Sequence, residues 1–271
     1  MTNAVAPIGV FDSGVGGLTV LRALRNTLPG EDFIYLGDTA RLPYGTKSGD
    51  TVVRYSLQCA GVLATRGIRA LVVACNTASA SALPALRARY PDLPVVGVIE
   101  AGAAAAVAAT RSGHIAVIGT EGTVNGGAYQ AAIHHIDAGV RVTAQACPLF
   151  VALAEEGLLE GDITEAVARH YLQPLLSATD GPDTLVLGCT HFPLLAEVIR
   201  NVLPASVRIV DSALTTALAV AERLGAWPAG TEPVTGRVQF LATDGAARFA
   251  RVGSDFLREQ LDARAIEIVD L

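Results

Sequence analysis

The sequence is short of charge, of aromatic rings and, above all, of lysine. Of its 271 residues 17% are charged and 5% aromatic, against 51% hydrophobic. That balance excludes a disordered chain, a collagen or a small disulfide scaffold, and it supplies a large core. Lys47 is the only lysine among 20 basic residues. Pyridoxal phosphate chemistry needs a Schiff-base lysine, yet Lys47 stands in a polar loop between Thr46 and Ser48. That is a poor place for an amine that must shed water to react. Basic runs are missing too. With a net charge of −6 the chain offers nucleic acid no electrostatic footprint.

Long apolar runs are also absent. The most apolar window, residues 101–109, lies between Glu100 and Arg111 and is too short to span a bilayer. It predicts a buried or half-buried helix. The opening Met1-Thr2-Asn3-Ala4 has neither the basic region nor the apolar stretch of a signal. Cys59, Cys75, Cys147 and Cys189 are therefore expected as free thiols of a cytoplasmic protein.

Missing motifs narrow the chemistry further. Neither C-x-x-C nor H-E-x-x-H occurs, so no metal is expected; zinc would have to gather Cys75, Cys189 and His191 without either motif. Thr19 stands where the third glycine of a dinucleotide fingerprint would be, and no P-loop is present. A nucleophile elbow is absent. Ser81 and Leu195, rather than arginine, stand six residues past Cys75 and Cys189, against a phosphatase loop. His134, His135 and His170 sit in helical stretches and are expected to face solvent.

What is present is an alternation of short Val- and Ile-rich runs with helix-length segments. The runs are 8–11, 33–36, 70–74, 95–99, 115–118, 140–144, 184–187 and 207–210, with two more expected at 237–241 and 266–269 around a last helix near 245–261. Continuous apolar strands joined by helices predict an α/β protein with parallel sheets covered on both faces. No low-complexity linker divides the chain; Trp227-Pro228-Ala229-Gly230 reads as a surface loop. An internal echo divides it instead. The pattern from Ile8 returns from Ile115, and Val72-Val-Ala-Cys-Asn-Thr-Ala returns as Val186-Leu-Gly-Cys-Thr-His-Phe. Two α/β units of like topology are expected, each with a cysteine just past the carboxyl end of a strand, where open parallel sheets bind ligands.

Buried cysteine is commonly a small hydrophobe, and Cys59 and Cys147 fit that reading. Cys75 and Cys189 differ, because each holds the equivalent place in its unit and precedes a helix whose amides favour a thiolate. Asp12-Ser13-Gly14-Val15-Gly16-Gly17 opens a helix after the first strand, and its amides and the Ser13 hydroxyl suit an anion. The loop with Tyr44 and Gly45 can line a polar pocket. Thr120 and Thr123 hold the matching place in the second unit, where helix capping would also explain them. Two facing thiols suit one reaction directly: one thiolate removes a Cα proton, and the other thiol returns one to the opposite face. Asp12 and His191 are placed to relay those protons.

Four segments in order, residues 8–20, 37–48, 73–80 and 187–195, with Val210-Asp-Ser212 after them, resemble the glutamate racemases of the Asp/Glu racemase family. The resemblance implies two similar parallel-sheet α/β domains with the active site in the cleft between them. Residues 1–99 and 211–271 would form a discontinuous first domain, and 100–210 the second. It implies cofactor-independent racemisation of glutamate, supplying D-glutamate for peptidoglycan. Cys75 and Cys189 would be the acid/bases, assisted by Asp12, His191 and Glu155. Asp12, Ser13, Tyr44, Gly45, Asn76, Thr77, Thr120, Thr123, Thr190 and His191 would bind substrate. Other acidic substrates such as aspartate, a lyase or isomerase reaction, and a silent binding protein are the competing readings. The oligomeric state is open, with a homodimer as one option.

Overall fold

Buried apolar residues on both faces make a strand that needs cover from helices on either side, and the central strands here are of that kind. In the computed structural model, which describes residues 6–176, 180–226 and 235–271, the chain begins β1 (Ile8–Asp12), α1 (Leu18–Thr27), β2 (Phe33–Gly37), α2 (Gly49–Thr65), β3 (Ala70–Val73), α3 (Asn76–Arg89), β4 (Val95–Gly97) and α4 (Val98–Ala109). It continues β5 (His114–Gly119), α5 (Glu121–Asn125), α6 (Ala128–Ile136), β6 (Arg141–Ala146), α7 (Leu149–Glu155), α8 (Asp162–Leu176), β7 (Thr184–Gly188), α9 (Ala196–Val202) and β8 (Arg208–Asp211). It closes with α10 (Ser212–Arg223), β9 (Val238–Ala242), α11 (Ala246–Leu257) and β10 (Ile266–Ile268). The Trp227–Gly230 stretch read as a surface loop lies outside the described residues.

Two sheets result. The first has the order β10-β9-β2-β1-β3-β4, the second β6-β5-β7-β8, and every pairing is parallel. Setting β5 on β1 makes the order β6-β5-β7-β8 repeat β2-β1-β3-β4. The internal echo is thus a repeated topology. It places Cys75 after β3 and Cys189 after β7, at matching carboxyl ends. The last two strands extend only the first sheet. β1, β2, β5 and β7 are buried along their whole length, whereas β6 exposes Arg141 and Thr143 and is only half-buried elsewhere, as suits an edge strand.

The expected strand 95–99 stops at Gly97, and Val98 and Ile99 open α4 instead. Both residues are buried, so their hydrophobicity does not distinguish the two conformations. The window 101–109 is helical, with Gly102, Ala103 and Ala106 buried. One core is continuous between the two sheets, running from Ile8, Val10 and Leu18 through Val98 and Ala103 to Val117, Val186 and Ala217. The outer face of each sheet has its own core under α2 and α3, or under α8 and α9. The shared core lets the two carboxyl edges face one another over a common base. Among the described residues, no helix is long and apolar enough to cross a membrane.

Candidate active site

Cys75 occupies the N-cap of α3, where extended backbone (φ −92°, ψ 124°) turns into helix. Its Sγ accepts from the Ala78 amide at 3.4 Å and lies 3.7 Å from Ser13 Oγ. Burial pushes this thiol up to about 12, the Asp12 carboxyl adds to the rise, and the Ala78 amide and Ser13 oppose it. That balance favours the neutral thiol at Cys75. Cys189 is served differently. The chain after β7 enters a single tight turn (Phe192–Leu195) before α9, and the thiol's partner is an imidazole, with Sγ 3.7 Å from His191 Nδ1. Nε2 of that ring is 3.0 Å from Glu155 Oε1. Burial works against a charge on His191, but the bonds to Cys189 and Glu155 outweigh it and hold its pKa up at about 10.

Asp12 is fully buried at the end of β1. Its Oδ2 accepts from the Gly14 amide at 3.0 Å, while Oδ1 has no partner among the described residues. Burial raises its pKa, against the pull of His191 and the amides of Gly17, Gly14 and Ser13. A buried carboxylate oxygen without a donor is costly in a finished protein, so this one suits a cationic group brought by a ligand. Asn76 repeats the theme with the opposite polarity. Tyr129 donates to its Oδ1 at 2.9 Å, and its Nδ2 is buried without an acceptor. The Tyr129 hydroxyl thereby fixes the amide so that two N–H donors are left for a ligand.

Threonines meet across the cleft. Thr77 Oγ1 lies 2.9 Å from Thr120 Oγ1 and 3.3 Å from Thr123 Oγ1. Thr120 also caps α5, accepting from the Thr123 amide at 3.3 Å, so capping and cleft contact coexist there. Thr19 donates to the Thr190 carbonyl at 3.1 Å. A Cβ on Gly16 would lie 2.4 Å from Thr190 Oγ1 and 2.5 Å from His191 Nδ1, so only glycine admits that approach.

Ser13, Tyr44, Gly45, Cys75, Asn76 and Thr77 from the first sheet's side line one cavity with Thr120, Cys189, Thr190 and His191 from the second's. Of the residues expected at the site, Asp12, Thr123 and Glu155 stand behind that lining. Tyr44 is present by its ring more than its hydroxyl, which donates to Asp38 Oδ2 and lies 3.7 Å from Cys59 Sγ. Asp38 was not anticipated. It is fully buried and accepts from Tyr44, Arg41 and Thr243, pinning the Tyr44 loop to the C-terminal segment. Tyr129 and Arg248, whose Nη2 is 3.0 Å from Glu155 Oε2, were also unforeseen. Nothing in their local sequence marks them. Cys59 and Cys147 are buried in the outer cores, and His134, His135 and His170 are exposed. No cluster of three or more potential metal ligands occurs among the described residues.

The thiol cavity holds only about 30 Å³, room for about one water. A more open hollow of about 270 Å³ adjoins it, sharing Pro43, Gly45, Thr120 and Val151. A roomier hollow, about 450 Å³ around Arg87, Tyr90 and Arg223, shares no residue with it. Size therefore does not mark the chemistry here. The convergence of two thiols, an imidazole and unpaired polar atoms does.

A profile of the Asp/Glu/hydantoin racemase family matches residues 8–220. The chain is 54% identical over 255 residues to glutamate racemase of Geobacter metallireducens, covering 94% of this chain and 93% of that one. Glutamate racemase of Bacillus anthracis superposes with a TM-score of 0.91 at 36% identity, over 99% of both chains. The Francisella tularensis enzyme, solved with D-glutamate, superposes with a TM-score of 0.86 at 36% identity, over 98% of this chain and 97% of that one. The chain belongs to the Asp/Glu/hydantoin racemase family, whose glutamate racemases it matches over nearly its whole length.

Proposed function

We propose that the protein interconverts L- and D-glutamate by two-base proton transfer at Cα, without a cofactor, and supplies D-glutamate for peptidoglycan. The observation that carries this reading is the pair of thiols, Cys75 and Cys189, converging on one cavity from topologically equivalent strands. One sulfur, as thiolate, takes the Cα proton, and the electron pair of the C–H bond passes into the α-carboxylate. The other thiol then delivers its proton to the opposite face of Cα. Reversal exchanges the two roles, so each side needs a group that serves as acid in one direction and base in the other.

The surrounding residues take their parts from their free valences. Asp12 Oδ1 receives the substrate ammonium. The Asn76 amide and the hydroxyls of Ser13, Thr77 and Thr190 donate to the carboxylates, with helix-start amides behind them. Tyr44, Gly45, Thr120 and Thr123 form the wall where the two units meet. His191, backed by Glu155, exchanges protons with Cys189, and Asp12 serves Cys75. We divide the molecule into domains at 1–99 plus 211–271 and at 100–210, and place it in the cytoplasm, where reduced thiols persist.

Purified protein given L-glutamate in D2O is expected to yield D-glutamate carrying deuterium at Cα, with L-aspartate assayed beside it. Cys75→Ser and Cys189→Ser should each abolish turnover. The absence of both inversion and exchange in the parent protein sinks the reading, and so does activity that survives both substitutions. The remaining expectation, a homodimer, is decided by light scattering, where a monomer's mass would overturn it.

A further inference from the structure

The outer end of the Glu155–His191 pair is held by α11, a helix that contributes nothing to the cavity lining itself. Two of its residues reach the pair. Arg248 donates from Nη2 to Glu155 Oε2 at 3.0 Å. Phe256 sets its ring edge-on to the imidazole of His191, with centroids 5.1 Å apart. The helix belongs with the first sheet, between β9 and β10, whereas Glu155 on α7 and His191 after β7 belong with the second. The ion pair therefore crosses the cleft. It completes an unbroken series of contacts from Cys189 Sγ through both ring nitrogens and both carboxylate oxygens to the guanidinium.

A carboxylate bonded at one oxygen can turn about its own torsions. Bonded at both, it has its free lone pairs aimed and its charge secured. Glu155 is mostly shielded, with its side chain 12% exposed, while that of Arg248 is 45% exposed. The pair is thus too open to contribute much to stability, but it lies one residue away from a proton-transfer group. Among the described residues the Cys75 side has no such ion pair, its thiol being attended by Ser13 and the Ala78 amide. We propose that Arg248 is a positioning residue for the Cys189 half of the reaction, through which the first unit aligns the Glu155–His191 relay when the cleft is closed. The proposal rests on the two-base reading above.

Its signature is one-sidedness. The two enantiomers of glutamate have equal free energy, so every variant keeps kcat/KM equal in the two directions. Asymmetry has to be sought in isotope effects. Arg248→Gln is expected to lower kcat about tenfold, less than the roughly 10²-fold or greater cost of losing a proton-transfer group. With substrate deuterated at Cα, the primary isotope effect should grow for the enantiomer whose proton goes to Cys189 and shrink for its mirror image. Arg248 meets Glu155 through a single nitrogen, a contact lysine can also make. Arg248→Lys should therefore restore most of the rate and return both isotope effects to their parent values. An unchanged rate, or isotope effects that move together for both enantiomers, overturns the proposal. The parent protein is measured first, since its failure to invert or exchange would overturn the two-base reading itself.

Discussion

His191 is the residue at which the opposing influences in the site meet. Burial discourages its charge, the thiol of Cys189 and the carboxylate of Glu155 sustain it, and Asp12 faces it from the other unit. Arg248 stands beyond Glu155. Because the pKa in the fold, about 10, lies above the ordinary value near ~6.5, the imidazolium persists through neutrality and is lost only as pH rises through about 10. The accompanying stability follows the same sign, being present below the ordinary value and lost over that alkaline rise. Initial rates should fall on passing pH 10, and His191→Gln should remove that alkaline limb while lowering turnover by roughly 10²-fold. A flat alkaline profile in the parent protein would contradict this. At this scale the sequence is an uneven guide. Cys189 and His191 are two positions apart in one run, and their partnership can be read directly. Tyr129 with Asn76 and Asp38 with Thr243 are joined only by the fold, across 53 and 205 positions, and no local pattern predicts either.

Among the elements, the turn between β1 and α1 does the most with the least side chain. Residues 13–17 bring Ser13 to one thiol and leave room at Gly16 for the hydroxyl and ring that attend the other. Gly16→Ala sets a methyl within 2.5 Å of His191 and Thr190. Since these belong to the opposite unit, the strain should be relieved by parting the units and not by unfolding either one. Turnover should drop by ~10-fold or more with a stability cost of about 1–3 kcal/mol, read from kinetics alongside thermal melting. Full activity in that variant would show that the close approach is not needed. The glycines of this turn are conspicuous in the sequence, but as a loop for an anion. Their second use, admitting a residue from the other unit, becomes visible only when the two sheets face each other. Strand boundaries fare similarly. Val98 and Ile99 are equally apolar as the end of a strand or the start of a helix, and only the extended Gly97 at the N-cap separates the two.

At the scale of the molecule, the repeated strand order and the continuous core explain how a small closed cavity can serve a larger substrate. A dicarboxylic amino acid does not fit into about 30 Å³. Contacts across the cleft include the polar pairs Thr77 with Thr120 and Thr123, Thr19 with Thr190, Asn76 with Tyr129 and Arg248 with Glu155, together with the Phe256 ring on His191. The apolar core lies at its base and can act as a hinge. Small-angle scattering should therefore give a larger radius of gyration without substrate than the closed arrangement requires, contracting when L-glutamate is added. Identical scattering curves in the two conditions would argue against opening. The repeated topology, finally, is only a repetition of backbone; a hydroxyl and an amide attend one thiol, an imidazole the other. In the proposed reaction, each conversion shifts one proton from one bank of the cleft to the other. The emptied enzyme then carries a record of the hand it has just released. It is ready for that same hand, and must be reset before it can accept the one it started from.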